Sequence, residues 1–142
     1  MRERMNKENV KENQAIKLES FIINKASFQR KIDVAFSEGV LQIKPQFSRG
    51  IQEIEKDKYR IILGVRIAED TDETALPFDV EVEISGVFRL NGIEEENKQA
   101  VLENKACSII FPYLRSTVSS VMAVAGVNPI ILPVININAI FD

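Results

Sequence analysis

YRIILGVRIA (residues 59–68) and FDVEVEISGVFRL (residues 78–90) are the stretches that decide the fold, because both alternate apolar and polar residues with the period of a half-buried strand. Tyr59, Ile61, Leu63, Val65 and Ile67 share one face of the first, opposite Lys58, Arg60 and Arg66. In the second, Phe78, Val80, Val82, Ile84, Phe88 and Leu90 share a face, and Asp79, Glu81, Glu83 and Arg89 take the other. A parallel sheet covered on both sides would read as an unbroken apolar run, so the alternation predicts antiparallel strands with one face buried. The acidic turn Glu69-Asp70-Thr71-Asp72-Glu73-Thr74 joins them. Across the outer face the arginines of the first strand are expected to meet the carboxylates of the second, at about a few tenths of a kcal/mol per ion pair.

Toward the N-terminus, AIKLESFIIN (residues 15–24) places Ile16 and Leu18 in phase and then slips to Phe21 and Ile23, which predicts a strand with an irregularity near Ser20. A second strand is expected at Val40 to Lys44, with Leu41 and Ile43 on one face. The connection between these strands holds Phe28, Ile32, Val34 and Phe36 and is too apolar for a free loop. Residues 1–13 are polar and without period, so a disordered or frayed tail is expected there, followed by one domain over residues 14–142.

Toward the C-terminus, Asn91-Gly92 turns the chain and a helix is expected from Glu94 to Lys105, with Glu94, Glu95 and Glu96 at its positive end. A second helix is expected from Ser108 to Ala125, ending at Gly126. Ile110, Leu114, Val118, Val121, Met122 and Ala125 form its apolar stripe, while Ser116, Ser119, Ser120 and Ala123 are small enough to admit another helix and are assigned to a subunit interface. Pro129 and Pro133 keep the remainder extended across a surface. The fold class is α+β: a four-stranded antiparallel sheet with one long helix and a short preceding helix packed on one side.

Composition removes several chemistries. The 142 residues contain no His, no Trp and the single cysteine Cys107, so imidazole-assisted nucleophiles, imidazole zinc sites and Cys-x-x-Cys redox pairs cannot be assembled. One cysteine and no apolar leader point to a reducing cytoplasm. Residues 1–60 hold 13 Lys or Arg against 9 Asp or Glu, and the remainder 5 against 12. The N-terminal cations are interleaved with Glu3, Glu8, Glu12 and Glu19, which dilutes any field that would track nucleic acid. The 26 uncharged residues from Ser116 to Phe141 are long enough to suggest a membrane span. Gly126, Asn128, Pro129, Pro133, Asn136 and Asn138 would break it, so cover by protein is expected instead.

FPYLR (residues 111–115) resembles the FPYAR signature of the SecB family, GVFRLNGIE (residues 86–94) resembles that family's segment at the end of its fourth strand, and LPVININAIF (residues 132–141) resembles its stretch after the helix. A weaker likeness extends to IINKASF (residues 22–28). The resemblance implies an ATP-independent holdase that binds unfolded preproteins in apolar grooves, passes them to the SecA motor, works as a homotetramer of paired dimers, and needs neither catalytic residue, metal nor cofactor. As client-binding residues we select apolar side chains in irregular segments: Phe28, Ile32, Val34, Phe36, Val40, Leu41, Ile130 and Ile131. A segment burying about 400 Å² gains roughly 10 kcal/mol gross, nearly all consumed by ordering about eight residues. Affinity then requires several patches acting on one client, which an oligomer supplies.

Two features depart from the family pattern. SecB chains continue into another helix where this sequence stops at Asp142, which is expected to leave the groove more open. The acidic sheet face by which the family docks SecA is represented by Asp79, Glu81 and Glu83, but Lys25 and Gln29 stand where the family carries carboxylates, and Lys25 opposes a cationic partner. The alternative within the family is a dedicated chaperone for one partner such as an antitoxin. An enzyme using Asp79, Glu81 and Glu83 as acid and base is the alternative outside it, and neither nucleophile nor pocket glycines accompany them. Glu94 to Glu96 read as a solvated helix start, Asp70, Asp72 and Glu73 as a solvated hairpin end, and Cys107 as a small packing residue.

Overall fold

The computed structural model describes residues 15–32, 44–68, 76–127, 132 and 141. Four strands, β1 (Ile16–Arg30), β2 (Gln46–Glu55), β3 (Lys58–Ile67) and β4 (Phe78–Leu90), form one antiparallel sheet in the order β1-β4-β3-β2. The alternation in β3 and β4 works as expected: Ile61, Leu63, Val65, Ile67, Phe78, Val80, Val82, Ile84, Phe88 and Leu90 are all buried. Register sets Leu63 opposite Ile84 and Val65 opposite Val82, so the two apolar faces coincide.

One helical rod covers that face. Helix α1 (Glu95–Val101) runs through a π-helical turn (Leu102–Ala106) directly into α2 (Cys107–Val124), where two separate helices were expected. Lys98, Leu102, Ala106, Ile110, Leu114, Val118 and Met122, spaced four residues apart, are all buried. At 3.6 residues per turn each four-residue step overshoots by about 40°, so a straight α-helix would carry such a row off the sheet. The wider π turn winds less per residue and takes up part of that drift. Ala125, expected in the apolar stripe, is exposed because α2 ends at Val124 and Gly126 takes the left-handed φ of 84°.

The second strand is displaced from its expected place. Residues 40–43 lie outside the described residues, Lys44 is irregular, and β2 is instead Gln46–Glu55. It joins β3 through the Lys56-Asp57 turn, with Asp57 at a φ of 63° that a short polar residue tolerates. Asp57 also ties the hairpin to the helix, because the buried Lys98 ammonium donates to its carboxylate at 2.8 Å and to Glu95. β1 runs to Arg30, so Phe28 belongs to the strand rather than to the connection, and its ring stacks on Phe78 with centroids 5.6 Å apart. The irregularity near Ser20 is present as a register shift between Leu18 and Ser20, and a second falls between Ile23 and Lys25. The expected N-terminal tail lies outside the described residues.

Gly86 sits where helix and sheet approach closely: a Cβ there would lie 3.0 Å from Ile110, 3.0 Å from Leu18 and 3.1 Å from Phe88. Gly86→Ala should therefore cost about 1–3 kcal/mol, read from urea unfolding, by forcing the rod off the sheet. The hydrogen bond from Lys98 holds the Asp57 carboxyl below the usual carboxylate range, and bonds to Asp57 and then Glu95 hold the Lys98 ammonium above its ordinary value. Asp57 thus contributes stability present above its unfolded pKa of about 3.9 and lost as pH falls through the lower folded value. Lys98 contributes stability complete below about 10.4 and lost as pH rises through its higher folded value. Lys98→Met should destabilise the protein at pH 7, with a deficit against wild type that shrinks at both extremes in unfolding curves taken across pH.

Candidate apolar binding groove

Among the described residues β1, fifteen residues long, is an edge strand paired with β4 on one side only. Each register shift inserts one residue, so its helix-side positions run Leu18, Phe21, Ile23, Ala26, Phe28 at spacings of three, two, three and two, opposite Phe88, Gly86, Ile84, Val82 and Val80. That phase keeps an apolar row aimed at the helix along the whole strand. The row extends beyond the cover that α2 provides. Phe21 and Ile23 remain exposed, as do Ile109, Tyr113 and Val124 on the helix, Val124 at 90%. Phe21 and Tyr113 meet across the gap with ring centroids 4.9 Å apart.

Between β1 and α2 this leaves an open groove of about 580 Å³, with Ile23, Ala26 and Phe28 on the strand side and Ser116, Thr117, Ser120, Val121, Val124 and Ala125 on the helix side. The small side chains at 116, 120 and 125 create the space, and the isoleucine, phenylalanine and valines make it apolar. Two expectations of different kind meet here. Phe28, expected to bind clients, and Ser116 and Ser120, expected at a subunit interface, line one cavity. Ser119 is half-buried and Ala123 exposed, outside that lining. Ile32 is 85% exposed beyond the strand end, while Val34, Phe36, Val40, Leu41, Ile130 and Ile131 lie outside the described residues. Sequence reading passed over Ile23 and Val124 as groove residues. Ile23 could have been found from the phase slip, since the slip itself marks which residues return to the helix side.

The opposite face of the sheet is charged and internally paired. Lys25 meets Glu81 at 3.1 Å, Lys31 meets Asp79 at 3.5 Å, and the Asn24 amide donates to Glu83 at 3.1 Å. The partners come from β1 and the residue after it rather than from Arg60 and Arg66 as expected, because β4 has β1 on its other side. Arg60 instead donates to Gln52 at 3.0 Å. The outer-face carboxylates are therefore held by neighbours and stand on the far side of the sheet from the groove. Cys107 is buried, and burial raises its thiol to about 11 against the opposing pull of Arg49, so it is no nucleophile at neutral pH. Among the described residues no group of three or more Cys, Asp or Glu side chains is placed to hold a metal ion.

What the groove offers is apolar surface next to a strand that is at the sheet edge among the described residues, the kind of arrangement in which extended polypeptides pair through the main chain and seat alternate side chains. By length and composition the rod Glu95–Val124 would also suit a membrane, yet its inner row is covered by the sheet.

The family model described as preprotein translocase subunit SecB matches residues 9–142. A protein-export protein SecB of Saccharophagus degradans is 32% identical over 108 residues, spanning 75% of this chain and 64% of that protein. One from Neisseria meningitidis serogroup C is 33% identical over 109 residues, spanning 77% of this chain and 74% of its own. The fold is also similar to that of a Mycobacterium tuberculosis SecB-like chaperone in complex with a ChAD peptide from the HigA1 antitoxin, with a TM-score of 0.69 at 10% identity over 93% of this chain and 99% of that one.

Val124→Lys should lower the fluorescence of a bound apolar dye such as bis-ANS several-fold while moving the unfolding free energy by no more than about 0.5 kcal/mol, because the site is exposed and a cation suits a helix C-terminus. Unchanged dye binding would place the accessible apolar surface elsewhere.

Proposed function

The chain belongs to the SecB family, and from that premise we propose that it is an ATP-independent holdase that binds unfolded polypeptides, performs no catalysis and works in the cytoplasm. The observation that carries this reading is the open apolar groove beside the β1 edge, bounded by Ile23, Phe28, Ser120 and Val124. Such a surface binds through main-chain pairing and generic burial, so it discriminates unfolded from folded chains rather than one sequence from another. Its small area makes single contacts weak, and several copies in an oligomer raise affinity through effective concentration.

The oligomer proposed is a homotetramer of paired dimers, with Ser116, Ser119, Ser120 and Ala123 at helix contacts between subunits. Within one subunit a client segment and a neighbouring helix would compete for the stretch lined by Ser116 and Ser120. The client residues Val34, Phe36, Val40, Leu41, Ile130 and Ile131 remain part of the proposal, as do Phe28 and Ile32.

Delivery to SecA through Asp79, Glu81 and Glu83 is the weaker component, since Lys25 and Lys31 already neutralise two of those carboxylates. That pairing favours a second reading, a chaperone dedicated to one partner. The antitoxin peptide carried by the mycobacterial SecB-like chaperone gives the kind of partner a model.

The test is light scattering of several unrelated proteins diluted from denaturant, with and without a stoichiometric excess of this chain. General holding predicts suppression for all of them, and a dedicated chaperone predicts suppression for one partner only. No suppression of any client would overturn both readings. Native mass spectrometry should show four copies, and Ser120→Trp should shift that distribution toward smaller species without unfolding the monomer.

A further inference from the structure

Lys17, Arg89 and Lys58 stand directly opposite one another on β1, β4 and β3, so three cations form one row across the outer face of the sheet. Facing side chains on neighbouring strands are about 5 Å apart, where like charges repel. The nearby carboxylates relieve only part of this. Glu19 accepts from Arg89 Nε at 3.3 Å, and one Glu55 oxygen lies 3.7 Å from both Arg89 Nη2 and Lys58 Nζ. Asp57 is already held by Lys98 at 2.8 Å. Among the described residues neither Lys17 nor Lys56 makes an ion pair.

Beside the row is an open cavity of about 520 Å³, lined by Lys17, Lys56, Asp57, Arg89, Leu90 and Asn91. Its volume falls in the range of small-molecule sites, roughly 300–1,000 Å³. The three cations come from three places: β1, the turn between β2 and β3, and β4. The Arg89 guanidinium has a donor to spare, since among the described residues its Nη1 has no hydrogen-bond partner, and its planar fork fits the oxygens of a phosphate. Both lysines are exposed and bring point charges that can close on a ligand from either side. Three cations facing one committed carboxylate suit a ligand with more than two negative charges, and each phosphate group supplies about 1.5–2.

We propose that this cavity binds a small polyanion of the diphosphate class, with Arg89 gripping one phosphate and Lys17 and Lys56 neutralising the other. The site stands apart from the apolar groove and does not rest on the holdase reading. A ligand there ties the start of β1 to the turn between β2 and β3 across β4. Occupancy therefore steadies the strand that bounds the groove, from the opposite face of the sheet.

Inorganic pyrophosphate is the probe, added to the full chain without divalent metal, with sodium chloride and sodium sulfate at matched ionic strength as controls. Saturating pyrophosphate should raise the thermal unfolding midpoint by roughly 3–6 °C and slow amide exchange from Ile16 to Leu18. The double variant Lys17→Gln, Lys56→Gln should lose both effects. Without ligand its midpoint should equal or exceed that of wild type, because removing Lys17 relieves its repulsion with Arg89. That combination separates a ligand contact from a structural role, which would lower the midpoint of the unliganded variant. An equal rise with chloride or sulfate would mean that salt merely screens the cation row, and overturns the site. No rise in wild type, or a full rise in the double variant, overturns it as well, and none of these results touches the suppression of aggregation.

Discussion

Burial of the inner faces of β3 and β4 under a single helical rod is the interaction on which the rest of the molecule depends. Apolar area removed from water stabilises at roughly 25 cal/mol per Å², and most of the buried residues lie on those two strands and the rod. The outer strands β1 and β2 contribute only partly buried residues to this core, among them Ile16, Leu18, Phe28, Phe47 and Ile51. Stability is thus concentrated at the centre of the sheet, and the edges are left with apolar side chains that the core does not consume. Proteins that hold other chains need surface of that kind on a frame that does not unfold to expose it.

The central strands were legible because burial on one face imposes a strict alternation, and nothing in β3 or β4 interrupts it. β2 was not, and the cause is Arg49. In QFSRGIQEIE the residues facing the helix include Phe47, Arg49 and Ile51, so a cation sits between the two apolar residues that would have announced the strand. Its charge is accommodated by a carbonyl and an aromatic ring that come from distant parts of the chain. The helix was divided in two for a related reason: the π turn shifts the phase between Lys98 and Ile110, and a template with a fixed period of 3.6 reads a shift as an end.

Local pattern singled out Ser116 and Ser120 by their size, for a subunit interface, and Phe28 by its apolarity, for client binding; all three line the groove, with Phe28 in β1 rather than in the connection that follows it. The pairing of the outer face could not be read locally at all. Whether Glu81 meets Arg66 or Lys25 depends on strand order: Arg66 lies directly opposite it on β3, while Lys25 reaches it diagonally from β1, two residues from its register partner Ser27. Only the neighbouring β1, brought alongside β4 from more than fifty residues away, decides which cation is in reach.

The two register shifts in β1 bear on what an exposed edge will tolerate. They divide the strand into short regular lengths, Ile16 to Leu18, Ser20 to Ile23 and Lys25 to Arg30, with an unmatched residue between each. A flexible chain can follow such an edge by pairing with one length and bending before the next. A rigid, evenly pleated strand from a growing fibril cannot stay in register for more than a few residues. An edge interrupted in this way discriminates by stiffness: it offers a bending chain several short lengths to pair with and a fibril no continuous template to copy.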